Sequence, residues 1–315
     1  MIKYGYFDVF KECLRLQWLH YIDFYRKSFK INGVYNSIKV VVNLFEIFSE
    51  HKGFIGQIVR LAKNELIKTY KGSMIGPLWA VVKPSFTLFV YWFAFALGFK
   101  KAENVEVDIN GMTVVFDRFM FMLVGFVPWF FMNDSIIFGM KSIRTNRHFV
   151  TKISFPVSTI MSYTILSKLY VHVLLSAIML IIVTLVEGIS LYALQILLIM
   201  PLMFFFFLFL SWSTAPMGAF STDFENMVMS IMSGIFWLSG IIYNSYDMPT
   251  TTLNHVMYLN PINFFANAYR KAVLYNQFFW NRPAEMIVFL AEFVLVFVLG
   301  MFNYNRLRKR IPDVL

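Results

Sequence analysis

Six stretches of about twenty mostly apolar residues dominate this 315-residue chain, at approximately 78–99, 119–140, 162–186, 191–213, 226–244 and 284–304. A helix needs about 20 such residues to cross roughly 30 Å of hydrocarbon. Apolar types make up 58% of the chain and charged residues 15%, with a mean hydropathy of +0.62, whereas soluble domains carry about 25% charge. Too little polar surface is available to cover a water-soluble fold. The sequence predicts an all-α integral membrane protein with six transmembrane helices.

The formal charge of +10 would point to nucleic acid in a soluble protein. In a membrane protein it marks loops facing anionic headgroups, so membrane lipid is the expected partner and nucleic acid is not. Of the 28 Lys and Arg, 20 fall on the side of the termini and 6 on the other. The positive-inside bias therefore predicts a multi-pass protein of the cell membrane with both termini cytoplasmic. A single cysteine, Cys13, excludes an intrachain disulfide framework and a Cys-based metal site. The first 30 residues carry charges throughout, which predicts no cleavable signal peptide.

Four regions follow: an interfacial or cytoplasmic extension at 1–50, an amphipathic interface helix within 51–77, the transmembrane domain at 78–304 and a basic tail at 305–315. Between Phe54 and Tyr70, Ile55, Ile58, Leu61, Ala62, Leu66 and Ile67 recur at helical spacing, with Arg60, Lys63, Asn64 and Lys68 mostly opposite. Gly72, Gly76 and Pro77 end that helix and open the first span. Residues 100–118 read as a small polar hairpin or loop, and 245–283, rich in Asn and aromatic residues, as short outer-leaflet helices before the last span.

No G-x-x-x-x-G-K-[ST] loop occurs, so no nucleotide is expected on this chain. Neither a G-x-S-x-G elbow nor a metal-ligand spacing is present. The reading is of a transporter subunit, not an enzyme. Charged residues inside spans are functional candidates because each costs about 2.5–3.5 kcal/mol near the bilayer centre; here they are Lys83, Asp134, Lys168 and Glu292, with His172. Lys83 can snorkel or meet substrate, Lys168 is expected at the inner boundary, and Glu292 would be the proton site of a secondary transporter. Tyr91, Trp92, Phe95, Trp129, Trp237 and Tyr243 mix rings with polar groups and are candidates for lining a translocation path. Three classes stay open on these residues: the membrane half of an ATP-driven exporter, a proton-coupled secondary transporter, and a membrane enzyme acting on polyprenyl lipids.

The stretch from Tyr70 to Trp79 (YKGSMIGPLW), followed by Lys83-Pro84, resembles the entry motif of permeases in type-2 ABC exporters of lipid-linked cell-surface polymers. Ile153–Ser158, Ile165–His172, Leu259-Asn260-Pro261 with Tyr269-Arg270, and the basic tail resemble the teichoic-acid translocation branch in particular. The likeness covers about residues 42–315, the first forty being an extension that branch usually lacks. It implies two copies of this chain with two ATP-binding cassette subunits, which bind the ATP and Mg. The substrate would be an undecaprenyl-diphosphate-linked anionic polymer, wall teichoic acid, with O-antigen or capsular polysaccharide as the alternative. The loop after the second span would couple to the ATPase through Arg144, Arg147, His148, Phe149 and Lys152, with Phe149 as aromatic anchor. Lys68, Lys71 and Lys83 would converge on the lipid headgroup. Tyr258, Asn263, Asn267 and Tyr269 would frame the exit around an Asn260-Pro261 turn, with Arg270 pairing outer headgroups.

Overall fold

The computed structural model describes residues 47–98, 104–109, 111–151 and 155–314, and the chain divides into Met1–Ser49 and Glu50–Leu315. The architecture is that of Glu50–Leu315; the expected extension lies almost wholly outside the described residues.

Helix α1 (Ile55–Tyr70) is amphipathic as expected, but it spends only part of its apolar face on the protein. Ile58 and Ala62 bury against Ile160 and Tyr163, whereas Ile55, Val59 and Ile67 stay exposed. The turn that follows uses Gly72 and Gly76 at φ +86° and +53°, where a side chain would be strained. A 3₁₀ turn at Gly76–Leu78 then opens α2 (Trp79–Trp92), with Pro77 in its first turn. A π-helical turn at Phe93–Gly98 ends the span. Residues 104–117 form a hairpin, β1 (Asn104–Ile109) paired antiparallel with β2 (Met112–Asp117), and Gly111 at φ +82° shapes its tip.

Asp117 caps α3 (Arg118–Thr145) by accepting from the Met120 amide at 3.1 Å. This helix is buried along most of its length and forms the centre of the molecule. After the short α4 (Arg147–Thr151) come α5 (Val157–Val186) and α6 (Ile196–Phe220), the latter entered through a 3₁₀ turn at Leu191–Gln195. Both α5 and α6 pack on α3, and α6 also carries α10 (Pro283–Leu307). Close approach requires small residues. A Cβ on Gly218 would stand 2.7 Å from the Met140 carbonyl oxygen, and one on Gly139 would stand 2.9 Å from Ile165 Cδ1.

Among the described residues, five helical segments are long and apolar enough to cross a membrane: Gly76–Phe95, Arg118–Thr145, Val157–Val186, Leu191–Phe220 and Pro283–Arg310. The expected span at 226–244 is not one helix. Its helix, α7 (Thr222–Trp237), has 16 residues, or about 24 Å at 1.5 Å per residue, and the chain beyond it is irregular to Thr250. Even so, α7 starts beside one end of α3, where Glu225 pairs with Arg144 at 3.3 Å. By Gly240 and Ile241 the chain has reached the other end, where Arg270 links their carbonyls to Phe121. Two short helices follow, α8 (Thr251–Tyr258) and α9 (Pro261–Val273), hinged at Asn260-Pro261 as the sequence predicted.

The basic tail continues as helix as far as it is described, to Val314. A 3₁₀ turn (Arg308–Arg310) leads to α11 (Ile311–Val314), which packs on α6. Because backbone opposes the missing side chain at Gly218, Gly218→Val should lower stability by about 1–3 kcal/mol. Thermal unfolding of the detergent-purified protein measures this, and an unchanged midpoint would mean that α3 and α6 do not meet there.

Candidate functional site

Helices α2, α3 and α7 enclose a groove of about 280 Å³ whose walls mix rings with Thr87, Asn133 and Ser233. Tyr91 is its hub, with ring centroids 5.3 Å from Phe126, 5.1 Å from Phe236 and 6.1 Å from Trp237. Trp129 meets Phe236 at 5.4 Å, and Phe95 meets Trp237 at 6.3 Å. Four of the six candidate path residues thus join one cluster. Tyr243 attaches to it by donating to the Trp237 carbonyl at 3.1 Å. Trp92 does not join: its ring packs on Phe119 and Phe89. Phe126 and Phe236 escaped the sequence reading, although Phe126 precedes Trp129 by one helical turn and Phe236 adjoins Trp237.

The three headgroup lysines separate. Lys68 is exposed beside Glu65 at 3.8 Å, and Lys71 is exposed at the end of α1. Lys83 instead lines a cavity of about 200 Å³ with Asp134 and Lys168, and neither other lysine lines it.

At the other end of α3, the coupling candidates also divide. Arg144 is engaged within the chain, donating to the Gly218 carbonyl at 2.5 Å and pairing with Glu225. Phe149 is half-buried against Phe155 at 5.3 Å and Tyr163 at 6.3 Å, in the cluster that seats α1. Arg147 and His148 are exposed. Lys152 lies outside the described residues.

The exit candidates sit where the sequence reading did not expect them. Tyr258 is half-exposed, but Asn263, Asn267, Tyr269 and Arg270 are buried within the protomer at 1% exposure or less. Arg270 therefore does not pair with outer headgroups. Its guanidinium donates to Gly240 O at 2.7 Å, to Ile241 O and to Phe121 O, and lies 3.7 Å from the Phe121 ring centroid. Burial lowers its pKa to about 10, which leaves it charged at neutral pH. Asn267 donates to Ser245 at 2.8 Å, and Asn263 donates to the Met257 carbonyl at 3.1 Å. Tyr269 meets His172 Nε2 at 2.6 Å, which gives that histidine a structural bond. Glu292 lies half-buried on α10, its Oε2 without a hydrogen-bond partner among the described residues. On α9, Lys271 pairs with Glu285 at 2.7 Å, and Tyr246 donates to the same carboxylate at 3.1 Å. Burial lowers the Lys271 pKa against the opposing pull of Glu285, and burial with that carboxylate raises Tyr246 well above its ordinary value.

The model of the ABC-2 type transporter family matches residues 56–274, from α1 through α9. The chain belongs to the ABC-2 type transporter family. Two proteins of Klebsiella pneumoniae, each named O-antigen export system permease protein RfbA, are 24% identical over 284 residues, covering 89% of this chain and all of the relative. A protein of the same name from Myxococcus xanthus is 23% identical over 222 residues, covering 70% of this chain and 80% of the relative. ABC-2 permeases are the membrane subunits of transporters that work with ATP-binding cassette partners, so this chain is a multi-pass transporter subunit and not itself the catalyst. The teichoic-acid branch expected from sequence gains no support from these relatives.

Within this ABC-2 permease, Arg270 is the residue whose removal should be felt most. Arg270→Lys leaves a single ammonium for carbonyls that a planar fork reaches together, stranding at least one at about 1–3 kcal/mol. The thermal midpoint of the purified protein should fall accordingly, and an unchanged midpoint would overturn the structural role.

Proposed function

We propose that this chain is the membrane-spanning subunit of an exporter for a lipid-linked cell-surface polysaccharide of the O-antigen type. In this reading two copies assemble with two ATP-binding cassette subunits, and the lipid-linked chain passes to the outer leaflet. The likeness to the O-antigen export permeases, over 89% and 70% of this chain, supports that polymer class over teichoic acid. We read α7 with the chain up to Ile241 as the sixth crossing, because it begins beside Arg144 and ends beside Phe121. Six crossings put both termini on one side, and the Lys and Arg excess makes that side cytoplasmic.

The observation that carries the reading is the aromatic groove. A saccharide chain needs a surface that is greasy on ring faces and polar between them, and that holds no single register. Tyr91, Phe126, Trp129, Phe236 and Trp237, with Thr87 and Asn133 between them, have that character. Trp237 is 50% exposed on the protomer, as a residue facing a passage between two copies should be. For coupling, Arg147 and His148 are exposed on α4 and could meet an ATPase, while Phe149 packs on Phe155 and Tyr163 beside the cluster that seats α1.

The test is transport in proteoliposomes holding the permease, its ATPase and an undecaprenyl-diphosphate-linked O-antigen. Trp237→Ala should cut polymer transport at least tenfold while basal ATP hydrolysis persists, and Trp92→Ala should leave both unchanged. Equal transport by both variants would remove the groove from the path, and no transport of the polysaccharide by the unmodified complex would refute the substrate class.

A further inference from the structure

The cavity around Lys83 shares only Thr87 with the groove, and its chemistry is different. Lys83 on α2 and Lys168 on α5 line it together with Asp134 of α3, and Asp134 lies within electrostatic reach of both lysines. Among the described residues, no carboxylate stands within 4.0 Å of either ammonium. Lys168 Nζ instead rests 3.6 Å from the Phe138 ring centroid, and Lys83 Nζ lies 5.8 Å from that of Trp79. Glu65 of α1 also lies within electrostatic reach of Lys168 but pairs with the exposed Lys68 at 3.8 Å, so the cavity lining itself holds two cations and one carboxylate, an arrangement in a membrane-embedded wall that favours a counter-anion.

A second cavity, of about 250 Å³, adjoins the first and shares Pro84, Phe130 and Leu175 with it. Its remaining walls are almost wholly apolar, running between the same three helices past Leu88, Leu123 and Ile182. One end is therefore cationic and the other greasy. Lys83 sits six residues after Pro77, about 9 Å along the helix at 1.5 Å per residue, and Trp79 lines the charged end in the manner of interfacial tryptophans. From there a lysine can reach a lipid headgroup by extending toward the membrane surface.

We infer that these two cavities form one binding site for a phosphate-bearing membrane amphiphile, with its phosphate between Lys83 and Lys168 and its hydrocarbon chain in the apolar cavity. Lysines are effective point-charge partners for phosphate. Asp134 limits the excess charge, so the site holds a singly or doubly charged phosphate ester and releases it. The inference rests on the membrane placement of α2, α3 and α5, not on which polymer is carried. Two lipids share this chemistry: a polyprenyl phosphate of the kind that carries polymers, and a bulk phospholipid.

Native mass spectrometry of the full-length detergent-purified protein tests it, with dioleoyl phosphatidylglycerol, undecaprenyl phosphate and phosphate-free dioleoylglycerol as probes. The unmodified protein should retain the two phosphate lipids and not dioleoylglycerol. The double variant Lys83→Gln/Lys168→Gln should lose at least tenfold in retention, Ile182→Trp should lose by blocking the apolar end, and Asp134→Asn should bind at least as tightly. Each variant is compared at an unchanged size-exclusion profile, and undiminished retention by Asp134→Asn cannot come from misfolding. Undecaprenyl phosphate displacing phosphatidylglycerol assigns the site to the polymer-carrier class, and the reverse assigns it to bulk lipid. Equal retention by the double lysine variant, or equal retention of dioleoylglycerol, overturns the site. Transport is not measured, so failure here leaves the exporter reading standing.

Discussion

In hydrocarbon no water answers a free carbonyl, so a chain that leaves helical geometry inside a membrane protein must have its backbone bonded by the protein itself. That constraint governs the segment after α7. Ser239 to Ile242 are buried and not helical. Arg270 donates to the carbonyls of Gly240 and Ile241, and Asn260 reaches the Leu238 carbonyl at 3.2 Å and Ser239 Oγ at 2.9 Å. Asn260, Asn263, Asn267 and Arg270 recur every three or four residues, so α9 turns one polar stripe toward the irregular chain. Its other face carries Phe264, stacked on Phe289 of α10 with centroids 3.9 Å apart, and Phe265 against Phe206 and Phe207. The return of the chain from α7 to α10 depends on this two-faced helix.

The same stripe explains what was legible in the sequence and what was not. Apolar runs of twenty residues have one physical use, so five long helices stand where expected, and the sixth fell short only because its run continues past the helix end at Trp237. The amphipathic α1 and the Asn260-Pro261 hinge were equally readable, since a cap and a proline act locally. The alternation of Asn with aromatics at 258–270 has two uses, a wet surface or a buried polar seam, and periodicity alone does not separate them. Burial separates them: Asn267 and Arg270 have partners 22 to 149 residues away, a distance no local pattern encodes. The path residues were found by composition, mixed rings among polar groups, but Trp92 shares that composition and faces Phe119 instead.

The Arg144 end of α3 is tied by a different device. Glu50 accepts from Ser158 at 2.5 Å, from Tyr304 at 2.7 Å and from Arg308 at 2.7 Å, joining the residues before α1 to the start of α5 and the end of α10. His51 adds a contact of 2.7 Å to Ser162. With Phe149 seated in the α1–α5 cluster and Arg144 bridging to Glu225, the short α4 is flanked by fixed points on four helices.

Helix α2 connects that end to both cavities. Lys83, Thr87 and Tyr91 lie four residues apart on one face. Lys83 lines the charged cavity, Tyr91 the aromatic groove, and Thr87 lines both. Pro84 removes the amide that would otherwise bond the Ala80 carbonyl, and it stands where the charged and apolar cavities meet. A phosphate held at Lys83 would stand about 12 Å along the axis from Tyr91, less than the length of a few sugar units. Proline is where a helix bends most readily, and here it falls between Lys83 and Thr87, which line the two openings. Helix α1 leads directly into α2 through the Gly72–Pro77 turn, so the entrance to the span and the walls of both openings belong to one continuous stretch of chain.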